Sequence, residues 1–215
     1  MQKIGKSEFN RRRVNFESDE SRFPWLSMLL DSYAIIDTAI ESAIELQYRS
    51  KQKGLACQNG CCHCCKTHKD IPVYPHELVG IYFYVTEKIK MPVRETLKWQ
   101  LQFFKQTDFC PFLISSSCVI HILRPTACRQ FNVFGTPCAE GEDPFFTRRD
   151  DVLTPNVNHT NQAFLTVLDF YEIKDDKKNF IQNNKIHTHV KNLRELKWLQ
   201  LIKAMNDYDL KAASL

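Results

Sequence analysis

Residues 57–65 read CQNGCCHCC, which places five of the nine cysteines of this 215-residue chain within nine positions. The four that follow a C-x3-C-x2-C-C spacing are Cys57, Cys61, Cys64 and Cys65. Thiolates two to four residues apart can surround one tetrahedral zinc ion or one face of an iron–sulfur cluster. Gly60 suits a tight turn between the first two ligands. The stretch therefore predicts a metal site, with Cys62 and His63 as spare ligands or hydrogen-bond partners of the sulfurs.

The other four cysteines are spread along the following part of the chain. They are Cys110, Cys118, Cys128 and Cys138. Their spacings of eight, ten and ten residues are too wide for a local metal knuckle, so only the fold can bring them together. Arg124 and Arg129 flank Cys128 and are expected to offset thiolate charge. Free cysteines also pack as small hydrophobic residues, and that alternative is open for this second group.

Taken in order, the motifs of residues 57–138 resemble the YkgJ-like cysteine-cluster proteins, a family described as zinc- or iron-chelating. Beyond the first array, the family pattern C-P-[FL]-L is matched at residues 110–113 and R-P-x-x-C-R at residues 124–129. Cys62 lies outside the pattern. The resemblance implies the metal ligands Cys57, Cys61, Cys64, Cys65, Cys110, Cys118, Cys128 and Cys138. It leaves open whether they form two four-thiolate sites, one cluster with spare thiols, or a bridged centre.

Three functions are compatible with such a centre. The first is a metal-binding protein that holds zinc or an iron–sulfur cluster in a structural or redox role. The second is an enzyme. The flagellin lysine methylases look like larger relatives, which implies S-adenosylmethionine-dependent methyl transfer to a protein lysine. Cys57, Cys61 and Cys64 also fit the spacing of radical S-adenosylmethionine enzymes, but a helix is predicted before the array and few strands after it. The third is a metal or redox sensor with exposed thiols such as Cys62.

Composition and charge indicate which partners and which cellular compartment are expected for this protein. A net charge of +4 with 25% charged residues gives no strongly basic face, so nucleic acid is not an expected partner. The apolar segment 26–46 is interrupted by four acidic residues, which argues against a membrane span. No secretory signal is visible, so we expect the reducing cytoplasm, where clustered cysteines indicate metal more often than disulfides. Metal ions and a protein partner are the expected partners.

Hydrophobic periodicity predicts a mainly α fold: a single helical domain around an irregular cysteine-rich centre, with a small β-hairpin. Residues 1–23 are predicted to be a basic N-terminal arm, in which the run Arg11-Arg12-Arg13 is either solvated or faces an acidic partner. The domain follows at 24–215, with its cysteine core at 57–138. Helices are predicted at 24–49, 76–89, 92–104, 162–171 and 190–208. Non-helical features are an extended segment at 71–74, a hairpin at 111–122, a loop at 135–155 and a turn at 175–178. A short helical turn is predicted at 124–131. Gly54 is expected to end the first helix.

Overall fold

The computed structural model describes residues 12–214, and these form the mainly helical fold that the sequence predicts. The α-helices are α1 (Glu17–Arg22), α2 (Pro24–Lys51), α3 (His63–Thr67), α4 (Pro75–Glu87), α5 (Val93–Phe103), α6 (Thr126–Gln130), α7 (Pro144–Thr147), α8 (Val157–Thr166), α9 (Lys177–Gln182) and α10 (Leu199–Ala213). The strands are β1 (Pro72–Val73), β2 (Leu113–Ile114), β3 (Ser117–Cys118) and β4 (Lys191–Asn192). Short 3₁₀ turns join several of these elements.

Helix α2 is the longest element and packs against α1, α4, α6 and α8. Its apolar positions recur every three or four residues, so Leu26, Leu29 and Leu30 fall on one buried face against Phe83 of α4. The helices approach closely at Gly80, where an added Cβ atom would lie 2.3 Å from the Leu29 Cδ2 atom. Glycine at this position therefore sets the distance between α2 and α4.

A second, larger core lies between α4, α5, α10 and the β2–β3 hairpin. Phe112, Trp198 and Met205 are fully or nearly fully buried in it, and the Phe112 and Trp198 rings meet edge to face. Cys62 and Cys110 belong to the same apolar cluster. The centre predicted from the cysteines is thus attached to the main core of the protein.

Both two-stranded sheets are antiparallel. In the predicted hairpin, Leu113 pairs with Cys118, and Ser115 and Ser116 form the connection with φ values of 47° and 61°. Two positive φ values are the geometry of a tight two-residue hairpin loop. The predicted extended segment at 71–74 contains β1, which pairs with β4 near the C-terminus in the register Pro72 to Asn192.

The prediction of one helix over 190–208 is wrong in its first half. Residues 191–192 form β4, a 3₁₀ turn follows at Leu193–Glu195, and α10 begins only at Leu199. The Asn192 side chain explains the change, because its Oδ1 accepts hydrogen bonds from Arg194 N (3.0 Å) and Ile71 N (3.3 Å). A helical pattern was overridden by pairing with a distant segment.

Other boundaries differ for local reasons. Helix α2 ends at Lys51, before Gly54, because the next residue, Gln52, adopts the left-handed conformation (φ 53°). Helix α8 starts before residue 162 because the Asn156 side chain accepts hydrogen bonds from the backbone of Asn158 and His159. The predicted loop at 135–155 contains one helical turn, α7, whose first turn is capped by the Asp143 side chain. The turn at 175–178 leads directly into α9, which was not predicted.

The predicted N-terminal arm is partly a folded element. Arg11 lies outside the described residues, but residues 17–22 form α1 and residues 12–13 are tied to α2. Arg12 Nε donates to Glu41 (2.8 Å), and Arg13 Nε donates to Asp31 (2.6 Å). Both arginines therefore pair with acidic residues of α2.

Between residues 12 and 214 no helix combines the length and the apolar character that crossing a membrane requires.

Candidate metal centre

The chain enters the cysteine stretch as an extended segment that pairs with the chain after α6. Ala56 N donates to Val133 O (2.7 Å), and Val133 N donates to the Cys57 sulfur (3.3 Å). Gly60, with φ 82°, then turns the chain, and Cys61 follows this turn. The turn that the sequence predicts at Gly60 is present, and it presents Cys61 to solvent.

Three of the predicted ligands lie at a surface cavity, and we call them the open group: Cys57, Cys61 and Cys138. They line a cavity of about 270 Å³ together with Cys62 and His63. Burial raises the pKa of the Cys57 thiol, while the hydrogen bond from Val133 acts in the opposite direction. Burial also raises the pKa of Cys138, and the charges of Cys57 and Cys61 raise it further. The three sulfurs are therefore close enough to interact electrostatically.

The loop that carries Cys138 is held by ion pairs. Glu142 accepts hydrogen bonds from Ala139 N (2.8 Å) and Arg148 Nε (2.7 Å), and these contacts bring the pKa of its carboxyl to about 2. The Arg148 charge in turn acts on Cys57 and Cys138 and favours their thiolates. Asp143 lies 3.3 Å from His68, just beyond α3. The loop is thus held by its own ion pairs and by a contact with the residue that follows α3.

A second set of four sulfurs packs against the main core, and we call it the buried group: Cys65, Cys110, Cys118 and Cys128. The backbone links the first two directly, since Cys110 N donates to Cys65 O (2.7 Å). Cys118 lies in β3. The buried amide of Gln100 donates to Pro111 O (2.7 Å) and Leu113 O (2.9 Å), which fixes the chain between Cys110 and the hairpin.

Cys128 is positioned by a buried carboxylate. It lies on α6, and the first residue of that helix, Thr126, donates its backbone N–H to Glu77 Oε1 (2.7 Å). The other oxygen of Glu77 accepts from Tyr74 N (3.0 Å) at the start of α4. One fully buried side chain therefore caps two helices, and its negative charge is favourable at both N-termini.

Electrostatics within the buried group shows how closely these sulfurs lie. Side-chain hydrogen bonds with Cys110, Cys118 and Cys64 raise the pKa of Cys65. The matching hydrogen bond from Cys65 lowers the pKa of Cys64 to about 7 and lowers that of Cys118. Burial, followed by the charges of Cys110, Cys64 and Cys118, raises the pKa of Cys128 well above its usual value. Closely spaced thiolates repel one another, so a cation among them favours their ionisation.

Cys64 lies between the two groups. Its sulfur interacts with Cys65 on one side, and its charge raises the pKa of Cys57 on the other. Cys64 and Cys65 are neighbours on the short helix α3. The fold therefore brings all eight predicted residues into two adjacent groups that meet at this pair.

The two arginines that flank Cys128 have different roles. Arg129 is buried and bonds to Asp37 of α2 (2.6 Å), with its guanidinium over the Tyr33 ring, so its charge is already paired. Arg124, in contrast, has no carboxylate partner among the described residues. Its charge lowers the pKa of both Cys64 and Cys118. The expectation that local cations offset thiolate charge thus applies to Arg124.

The donor atoms suit a soft metal in identity and proximity. Thiolates are the preferred ligands of zinc and of iron–sulfur clusters. Among residues 12–214, however, no three His, Cys, Asp or Glu side chains are arranged as a ready ligand set for an ion. All nine cysteines are free, and neighbouring sulfurs raise the pKa of Cys65. Binding would require these thiols to lose their protons and turn toward the metal.

Several residues that position the cysteines were not predicted. Gln100 and Glu77 hold the segments that carry Cys110 and Cys128, and Arg148 acts on the open group. Their partners lie 10 or more positions away in sequence, as in the 49-residue separation of Glu77 and Thr126. The sequence contains no local pattern that would identify them.

The chain matches no family model, no curated protein and no solved structure. The resemblance to the YkgJ-like proteins therefore stays a prediction that depends on the cysteine motifs.

Proposed function

We propose that this protein binds metal through eight cysteine thiolates arranged as two four-sulfur centres. One centre consists of the open group completed by Cys64. The other is the buried group. Zinc and iron–sulfur clusters both suit such donors, and either would supply the positive charge that lets closely spaced thiols ionise. The resulting role is structural or redox.

The observation that supports this proposal best is the environment of the Cys65 sulfur. Three other cysteine side chains raise its pKa and so lie near it, and they come from α3, from the segment before β2 and from β3. Inert cysteines need no such convergence, because each can pack separately as a small apolar residue. Cys110 and Cys118 belong to the buried group, and Cys128, which packs against the same core, supplies the fourth soft donor that a tetrahedral thiolate site requires.

Division into two centres follows from the position of the Cys64–Cys65 pair. Assigning Cys64 to the open group and Cys65 to the buried group gives four sulfurs to each. Arg124 lies close to both centres and offsets part of their negative charge. In this arrangement Cys62 is not a ligand, in agreement with its burial in the apolar core.

Metal analysis of protein purified without oxygen tests the proposal. We expect about two zinc equivalents, or iron and sulfide with absorbance near about 400 nm, since thiolate sites bind tightly. Cys65→Ser should remove at least one centre, and the matched control Cys62→Ala should retain both. Less than about half an equivalent of metal in the parent protein would refute the proposal.

The alternatives from the sequence stay predictions. Methyl transfer from S-adenosylmethionine depends on the resemblance alone, and no contact among the described residues favours it over metal binding. Isothermal titration with S-adenosylmethionine would test it directly, because a binding isotherm is expected only for the enzyme. A protein partner is likewise a prediction.

A further inference from the structure

The two cysteine groups differ in their access to solvent. In the open group Cys61 is exposed, and its three sulfurs border a surface cavity. In the buried group Cys110 is only 4% exposed, and the other three cysteines pack against the core around Phe112. A metal held by the first group would be within reach of an external ligand, whereas one held by the second would be covered by protein.

The cavity is large enough for such a ligand. Its volume of about 270 Å³ is several times the share of one water molecule in the liquid, which is about 30 Å³. The three cysteines of the open group line this cavity, together with Cys62 and His63. An incoming sulfur ligand would therefore approach the metal from the side on which Cys61 lies.

The open group is also held less uniformly than the buried group. The Cys57 sulfur is fixed by the backbone N–H of Val133, but Cys61 follows a glycine turn. Cys64, which completes the centre, also bonds to Cys65 of the buried group. Because Cys64 interacts with both groups, it would bind a metal in the open centre less firmly. A metal site with three firm protein ligands retains an exchangeable position.

We infer that the open group is a metal-exchange site and that the buried group is a permanent one. This inference rests on the proposed function. The exchange partner is a molecule that presents two or more thiolates, either a small dithiol or a cysteine-rich polypeptide. Its sulfurs form bonds to the metal while the bonds to the open-group sulfurs break. The released protein thiolates then take up protons from water, and no oxidation state changes.

Zinc serves as the probe. Full-length protein is loaded with zinc without oxygen, and transfer to excess small dithiol is followed through the change in protein-bound zinc. We expect half of the metal to leave at least about tenfold faster than the other half, because only one centre is exposed to the incoming ligand. Cys138→Ser and Cys61→Ser should remove the fast half and leave the slow half.

A second arm replaces the dithiol by an unstructured polypeptide with several cysteines. A fast phase with the polypeptide assigns a macromolecular acceptor, and a fast phase with the dithiol alone assigns a small one. Circular dichroism verifies that the variants are folded, and Cys61→Ser is the milder variant because its side chain is exposed.

The outcomes separate the inference from the proposed function. Two zinc equivalents that leave in one phase would overturn the inference and retain the proposed function. Loss of the slow half in Cys138→Ser would also overturn it. Failure to bind zinc or iron at all would refute the proposed function itself.

Discussion

Protonation of His76 should limit the stability of this protein in mild acid. His76 is 2% exposed, its Nδ1 lies 2.6 Å from the Tyr171 hydroxyl, and its Nε2 has no hydrogen-bond partner within residues 12–214. Burial lowers the pKa of its imidazole from 6.5 to about 3. The folded protein therefore holds His76 neutral over a range in which the unfolded chain protonates it.

The sign and size of the effect follow from proton linkage. As the pH falls below 6.5, His76 takes up a proton in the unfolded chain, whereas in the folded protein it stays neutral down to about pH 3. The stability present above pH 6.5 is thus lost as the pH falls through this window. Between pH 7 and pH 5 the loss is about 2 kcal/mol of unfolding free energy.

Urea unfolding followed by far-ultraviolet circular dichroism measures this loss. His76→Asn keeps a polar partner for Tyr171 but cannot take up the proton, so its pH dependence should be smaller than that of the parent by about 2 kcal/mol. Because other groups titrate in both proteins, the difference isolates His76. His187→Asn is the matched control, since His187 also bonds to a tyrosine hydroxyl at 2.6 Å but is exposed. Equal pH dependence of parent and His76→Asn would refute the reasoning.

Three further substitutions test the packing and charge around the candidate centre. Gly80→Ala should destabilise the protein by about 1–3 kcal/mol in urea unfolding through the clash with α2, whereas the new Cβ atom of Gly54→Ala meets no atom of the described residues within 4 Å, so that substitution should change the stability little. Asp37→Asn leaves the buried charge of Arg129 without its carboxylate and should cost about 3 kcal/mol in the same assay; an unchanged midpoint would contradict this. Arg124→Gln should weaken zinc binding about tenfold in competition with a chelator, and unchanged affinity would show that its charge does not act on the thiolates.

The sequence predicts the helices correctly where one buried face gives a regular repeat of apolar residues. Helix α2 follows its apolar pattern from Pro24 almost to its end, and α4 and α5 start at the prolines or just after them, as predicted. The helix prediction is wrong where residues distant in sequence pair with the segment. The segment after Val190 has a helical pattern but forms β4, which pairs with β1 more than 100 positions earlier. No window of sequence contains both partners.

For the candidate centre, the sequence predicts a set of residues and does not predict how they are arranged. The spacing of Cys57, Cys61, Cys64 and Cys65 identifies these residues as a local unit. The structure instead separates them, with Cys65 among the later cysteines and Cys57 beside Cys138. Local spacing gives the distance along the chain between donors, and only tertiary contacts decide which donors face one another.

The adjacent pair Cys64–Cys65 accounts for this separation. Consecutive side chains on an α-helix point about 100° apart, so the two neighbouring cysteines on α3 have different surroundings. The Cys64 charge acts on Cys57, whereas Cys65 interacts with Cys110. The two side chains also interact with each other, so the pair links the two groups.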